Sequence, residues 1–244
     1  PPVRGPLDAG LIDTIRVVAR FPADKSLSPR WLVVDKPSGV LSVPGRLPEH
    51  RGCVASWVQA TFAHASGPIT VHRLDLDTSG LLVVALDAAM QSELSKAFER
   101  REVSKAYVAI VDGVVANDEG QVDVPMRLDV DRRPMQVIDH EQGKAAITQY
   151  RVLRRGVFVD VRSGTARTAT LLRLTPVTGR THQLRVHCAA MGHAILGDVL
   201  YAQDAARDAS ARLLLHACDL GLIDPLTGCA VAISVPAPFE LAAG

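Results

Sequence analysis

From Lys105 to Leu174 the sequence runs through short apolar and β-branched segments separated by turn signals, and this succession narrows the fold more than any other feature. The first segment, Lys105 to Val111, puts Tyr107, Ala109 and Val111 on one side and stops at Asp112-Gly113. Gln121–Val124, Ala146–Val152, Phe158–Val161 and Thr170–Leu174 follow as further strands. Upstream, Trp31–Asp35 reads as a buried strand entering a Lys36-Pro37-Ser38-Gly39 turn, and Val40–Val43 leads to a second break at Pro44-Gly45. Leu81–Ala85 is a continuous apolar run, as in a strand covered on both faces. Leu213–Leu215 and Ala230–Ile233 return the tail to strand.

Helical spacing is rarer. Val54, Trp57, Val58 and Phe62 recur with a helical period, as do Met90, Leu94, Ala97, Phe98 and Arg101 behind an Asp87 cap. Thr181 is expected to cap a helix that carries Leu184, Cys188 and Met191 and stops at Gly192. Strands outnumber helices without a β-α-β rhythm, so the expected class is α+β, with a mixed, largely antiparallel sheet and flanking helices. Residues 1–30 hold several prolines and little periodicity and read as an irregular N-terminal arm; residues 31–244 read as the main domain.

With 48% hydrophobic and 22% charged residues, the 244-residue chain can bury a core and is no disordered tail. No apolar run approaches the roughly 18–20 residues that span a bilayer. The N-terminus lacks a basic-then-apolar signal pattern, so a cytoplasmic protein without a membrane partner is expected. Cys53, Cys188, Cys218 and Cys229 form no CxxC pair, which argues against a zinc ribbon or a thioredoxin-like motif and fits a reduced compartment. The net charge of +1 shows no overall basic excess, so any hold on nucleic acid must come from local patches. The pairs Arg100-Arg101, Arg132-Arg133 and Arg154-Arg155 read as scattered over solvated faces rather than as one groove.

Chemistry concentrates in Val71–Gly80, where charge, a histidine and turn formers stand directly before the Leu81 strand. Asp75 and Asp77 can close an Asx-type turn with Thr78, Ser79 and Gly80, the preferred reading for Asp77. Asp75-Leu76-Asp77-Thr78 also has some likeness to an acidic phosphotransfer motif. Such a nucleophile should follow an apolar strand, and here Val71-His72-Arg73-Leu74 precedes it, with no later acidic cluster for magnesium.

The third reading draws on the whole chain. Val34-Asp35-Lys36-Pro37-Ser38-Gly39, His72-Arg73-Leu74-Asp75 with Thr78-Ser79-Gly80, and Lys105-Ala106-Tyr107 come in that order. Gly179-Arg180-Thr181-His182-Gln183-Leu184-Arg185-Val186-His187, Ile195-Leu196-Gly197-Asp198 with Tyr201, and Leu215-His216-Ala217 follow. Over roughly residues 31–240 the sequence thereby resembles the RluA-type family of RNA pseudouridine synthases. The resemblance implies a bifurcated sheet with a central catalytic cleft, and a target uridine flipped out of ribosomal or transfer RNA. It implies Asp75 as the catalytic aspartate, Tyr107 as the tyrosine that packs on the target base, and Arg185 as the basic partner of Asp75. Read without it, Arg185 is a surface arginine, Tyr107 core filling and Leu215 a core leucine; by family analogy Leu215 lines the same pocket.

Arg73, two residues from Asp75, is implied to touch RNA near the extruded nucleotide, and Arg180 and His182 are expected to reach it as well. Lys36, first of all a turn residue, is carried with them as an RNA contact. The isomerisation exchanges neither electrons nor phosphate, so no cofactor or metal is expected. His182, His187, Cys188 and His193 match no familiar zinc spacing. Many relatives carry an S4-like domain ahead of the catalytic part; none is recognisable here, so selectivity is expected from the cleft and residues 1–30, in a monomer. The competing class is a non-catalytic RNA-binding module that keeps the fold, against which Asp75, Tyr107 and Arg185 speak.

Overall fold

A computed structural model describes residues 9–45, 52–160 and 163–243; residues 1–8 of the expected arm lie outside them. In chain order the elements begin α1 (Ala9–Ile12), β1 (Arg16–Phe21), β2 (Trp31–Lys36), α2 (Val54–Thr61), β3 (Ser79–Ala85), α3 (Ala88–Glu99) and β4 (Ser104–Asp112). There follow β5 (Glu119–Asp123), β6 (Met126–Leu128), β7 (Gln136–Ile138), β8 (Ile147–Val159) and β9 (Ala166–Pro176). The chain continues with α4 (Gln183–Ala190), α5 (Asp204–Asp208), β10 (Leu215–Ile223), β11 (Ala230–Ser234) and β12 (Ala242–Ala243). It divides into two compact units, residues 1–105 with 217–236 and residues 106–216 with 237–244. The class is α+β, with antiparallel pairing throughout the registered strand pairs described below.

In the first unit β2 lies between β1 and β3, antiparallel to both, with Trp31 opposite Ala85 and Asp35 opposite Leu81. Every residue of β3 is buried, as its apolar run requires. Trp31 is fully buried and stacks on Phe21 with ring centroids 3.8 Å apart, while its indole N–H donates to Asp224 Oδ1 at 3.0 Å. Asp87 caps α3 as expected: its Oδ1 accepts from Met90 N at 2.9 Å, and Met90 and Leu94 turn into the core. Gly80, at φ +112°, lets β3 approach β10, since an added Cβ would stand 2.6 Å from Ala217 N. Residues 16–21, read from sequence as part of an irregular arm, instead form β1. Its first half is exposed, so no alternation of burial marks it in the sequence.

In the second unit β9 lies between β4 and β8, β5 and β12 also pair with β8, and β6 and β7 form a separate hairpin. The two strands expected at Ala146–Val152 and Phe158–Val161 are joined in one strand, β8 (Ile147–Val159), with a register shift between Val152 and Arg154; Val161 lies outside the described residues. The paired arginines there keep the strand going: Arg154 Nη1 donates to Leu241 O, and Arg155 to the carbonyls of Val115 and Ala116 and to Asp118. Ile110, Val111, Leu172, Leu174, Leu196 and Leu215 fill the core, each such side chain contributing about 1.5–3 kcal/mol by burial. The chain past α4 turns at Gly192, φ +82°.

Candidate active site

Asp75 sits, partly buried, on the loop between the Thr70 bridge and β3. What holds that loop is the turn after β2. Lys36 is 0% exposed, and its ammonium donates to the carbonyls of Pro37 (3.0 Å), Val40 (2.7 Å) and Leu76 (3.1 Å). Gly39 N–H donates to the same Leu76 carbonyl at 2.9 Å, and Ser38 Oγ to Asp77 O at 2.7 Å. Ser42 Oγ donates to Leu74 O at 2.8 Å and accepts from Leu74 N at 3.1 Å. The carbonyls of residues 74, 76 and 77 are therefore all gripped from residues 36–42, while Asp75's own carbonyl accepts from Thr78 N–H at 3.2 Å.

Lys36, read first as a turn residue and carried as an RNA contact, points inward here. A buried ammonium spent on backbone carbonyls has no route to an RNA phosphate in this conformation; it braces the Asp75 loop instead. His72 anchors the other side. Its Nε2 accepts from Val83 N–H at 2.9 Å and its ring stacks on Phe98 at 4.3 Å, with Lys105 Nζ 5.4 Å from the same phenyl ring. Burial first, and the Lys105 charge second, push the His72 pKa down to about 3, so the imidazole is neutral and an acceptor at Nε2. Arg73 is exposed beside it. The approach to Asp75 is not a strand, which removes the structural context that a phosphotransfer nucleophile needs.

In the second unit Tyr107 lies on β4 opposite Leu174, half-buried against the core that also contains Leu184 and Leu215. Arg185, on α4, is 2% exposed. Its Nε and Nη2 form a fork onto Asp198 Oδ2 (2.7 Å) and Oδ1 (2.6 Å), and Asp198 is 0% exposed. The guanidinium also lies 5.2 Å from the centre of the Tyr201 ring. Arg185 is thus no surface arginine.

The start of α4 differs from expectation. Its N-cap is His182, left-handed at φ +55° and without a side-chain cap bond, not Thr181. The Gln183 side chain ties the turn before α4 to β8: Oε1 accepts from Thr178 Oγ1 and Arg180 N, and Nε2 donates to Ile147 O and Thr148 Oγ1. His182 is buried with Nδ1 2.7 Å from the Tyr201 hydroxyl, an inward setting at odds with its expected RNA contact. Arg180 is exposed, with Nε on Ala145 O at 3.1 Å. His187 and His193 bond Thr148 Oγ1 and Asp112 O, and among the described residues no group of three His, Cys, Asp or Glu could hold a metal ion.

Asp198, Tyr201 and Gln183 all stand within the sequence motifs, which give them no role. The signal was present in Gly197-Asp198 and Tyr201; the partner, thirteen residues back on α4, is visible only in three dimensions.

Residues 30–190 match the family described as RNA pseudouridylate synthase. The chain is similar to the dual-specificity RNA pseudouridine synthase RluA of Yersinia pestis, 46% identical over 208 residues, which cover 85% of this chain and 95% of that protein. The same-named protein of Escherichia coli K12 is also 46% identical, over 85% of this chain and 90% of its own length. Among solved structures, human RNA pseudouridylate synthase domain containing 1 aligns with a TM-score of 0.74 at 30% identity, covering 94% of this chain and 86% of that one. Human RNA pseudouridylate synthase domain containing 4 gives 0.64 at 26% identity, covering 87% of each. A family match across most of the chain, together with relatives this similar over nearly their full length, leads to one assignment: the chain belongs to the RluA-type family of RNA pseudouridine synthases, which are isomerases.

Proposed function

We propose that this chain converts selected uridines of ribosomal RNA, transfer RNA or both to pseudouridine, with Asp75 as its catalytic carboxylate and residues 31–244 as the catalytic domain. The relatives named as dual-specificity support more than one kind of RNA target. The reaction breaks the bond from uracil N1 to the sugar, turns the base, joins C5 to the sugar and releases the C5 hydrogen to water. No electrons or phosphate change hands, so the reading needs no cofactor or metal.

The observation that carries the proposal is the grip of residues 36–42 on the backbone around Asp75. Attack on the sugar, attack on the base and removal of a sugar proton each require an ionised carboxylate held at fixed aim, and a loop with its carbonyls spoken for supplies that aim in advance. Arg185 is assigned as a further catalytic residue, a permanently charged cation whose guanidinium is held by Asp198. Tyr107 is assigned as the ring on which uracil rests as it turns, and Leu215 as its apolar neighbour. Arg73 and Arg180, both exposed, are assigned to RNA phosphates. The protein is taken to work in the cytoplasm as a monomer.

The test uses transfer and ribosomal RNA transcripts tritiated at uridine C5. Wild type should release tritium to water without added metal or nucleotide. Asp75→Asn should release none while binding RNA at least as well. An Asp75→Asn protein that turned over RNA would end the assignment, and a wild type that bound every transcript but released nothing would favour a binding module.

A further inference from the structure

Arg185 is held more firmly than an arginine needs to be for packing alone. Both oxygens of Asp198 engage it, at 2.6 and 2.7 Å, and neither side chain reaches solvent. A buried ion pair gives little net stability over an apolar pair of the same volume, so stability does not account for its presence. Asp198 is itself immobilised: its Oδ1 also accepts from Leu200 N at 2.9 Å and Tyr201 N at 3.1 Å. Those bonds bring the Tyr201 ring beside the guanidinium. The Tyr201 hydroxyl is pinned in turn by Gln136 N–H from β7 at 2.8 Å and by His182 Nδ1 at 2.7 Å. The turn at 197–201, the hairpin strand β7 and the N-terminus of α4 therefore converge on one guanidinium. A two-toothed fork fixes both the plane of that group and its rotation about Nε, which a single bond leaves open.

We propose that Asp198 is a positioning residue for the isomerisation: it sets the orientation of Arg185, with Tyr201 as the second support, and so acts through Arg185 without touching the substrate. The inference rests on the reading of Arg185 as part of the site.

The experiment is single-turnover tritium release at saturating enzyme, with RNA affinity measured in parallel. It compares wild type, Asp198→Asn, Asp198→Glu, Arg185→Lys and the double variant Asp198→Asn/Arg185→Lys. Asn keeps an acceptor for the turn amides but sets an NH2 against Arg185 Nε, and a misaim of about 1 Å predicts a loss on the order of 10²-fold in rate with affinity unchanged. Lysine has no fork to be aligned, so in the Arg185→Lys background Asp198→Asn should add no further loss, whereas a general structural defect would multiply the two. Full rate in a folded Asp198→Asn, or losses that multiply, would overturn the proposal. Should Asp198→Asn fail to fold, Asp198→Glu decides: it keeps the charge but shifts the fork by a methylene, and a wild-type rate there would be equally fatal. An active wild type with an inert Asp75→Asn isolates failure of this inference from failure of the site reading; a silent wild type sinks both.

Discussion

Lys36→Met separates a brace from an RNA contact. The substitution keeps length and removes three charge-assisted bonds. Leu76 O keeps the Gly39 amide, so the carbonyls that lose their partner are those of Val40, in buried surroundings, and Pro37, in half-buried ones. Leaving a buried acceptor unmade costs about 1–3 kcal/mol, which for one buried and one half-wet group gives about 2–4 kcal/mol. The opposing effect is relief of the ammonium's desolvation, several kcal/mol if its charge were poorly solvated by the protein. Three carbonyls within 3.1 Å replace most of that hydration, so destabilisation should win. Urea unfolding should show the midpoint falling at unchanged slope, and the tritium-release rate should drop where the variant is still folded. Binding to RNA should keep its dependence on salt. Arg73→Ala is the contrast: loss of one phosphate contact should make the slope of log affinity against log salt shallower by about 0.7–0.9, with little change in stability. A Lys36→Met protein as stable as wild type and with the shallower salt slope would refute the brace and restore the phosphate contact.

Two further outcomes are expected. The folded-state pKa of His72, about 3, lies below the ordinary 6.5, so the unfolded chain takes up the proton first and stability falls as pH drops below 6.5. Between pH 7 and 5 this amounts to about 2 kcal/mol at about 1.4 kcal/mol per pH unit; urea unfolding of His72→Gln should lack that component, and an unchanged pH slope would contradict it. Gly80→Ala meets both a left-handed backbone and the Ala217 backbone, and should lose more than about 3 kcal/mol, read as insoluble or low-melting protein. A well-folded Gly80→Ala would mean that β3 and β10 can part there.

Features set by local chemistry were legible in the chain. The Leu81–Ala85 run could satisfy its apolar atoms only by burial on both faces, and Asp87 had a bare helix start to serve; both stand as expected. Features set by distant partners were not. β1 is defined by its pairing with β2, not by its own exposed pattern. Arg154 and Arg155 fall between two expected strands, and their bonds to the carbonyls of Leu241 and Val115, far along the chain, leave no local signal. Motif membership does not distinguish residues facing outward from those facing in. Lys36 and His182 were assigned outward and lie within, while Asp198, the carboxylate that holds Arg185, drew no attention because its bonds are tertiary.

The clamp around Asp75 is also asymmetric. On its gripping side, the bonds come from an ammonium at 36 and hydroxyls at 38 and 42, which only a few amino acids can supply. On its receiving side, the bonds use backbone groups: the carbonyls of residues 74, 76 and 77 and the amide of Leu74. The clamp itself therefore draws on the side chains at 36, 38 and 42 and only on the backbone at 74, 76 and 77. The side-chain chemistry that the clamp requires lies 32 to 40 residues upstream of the backbone it holds.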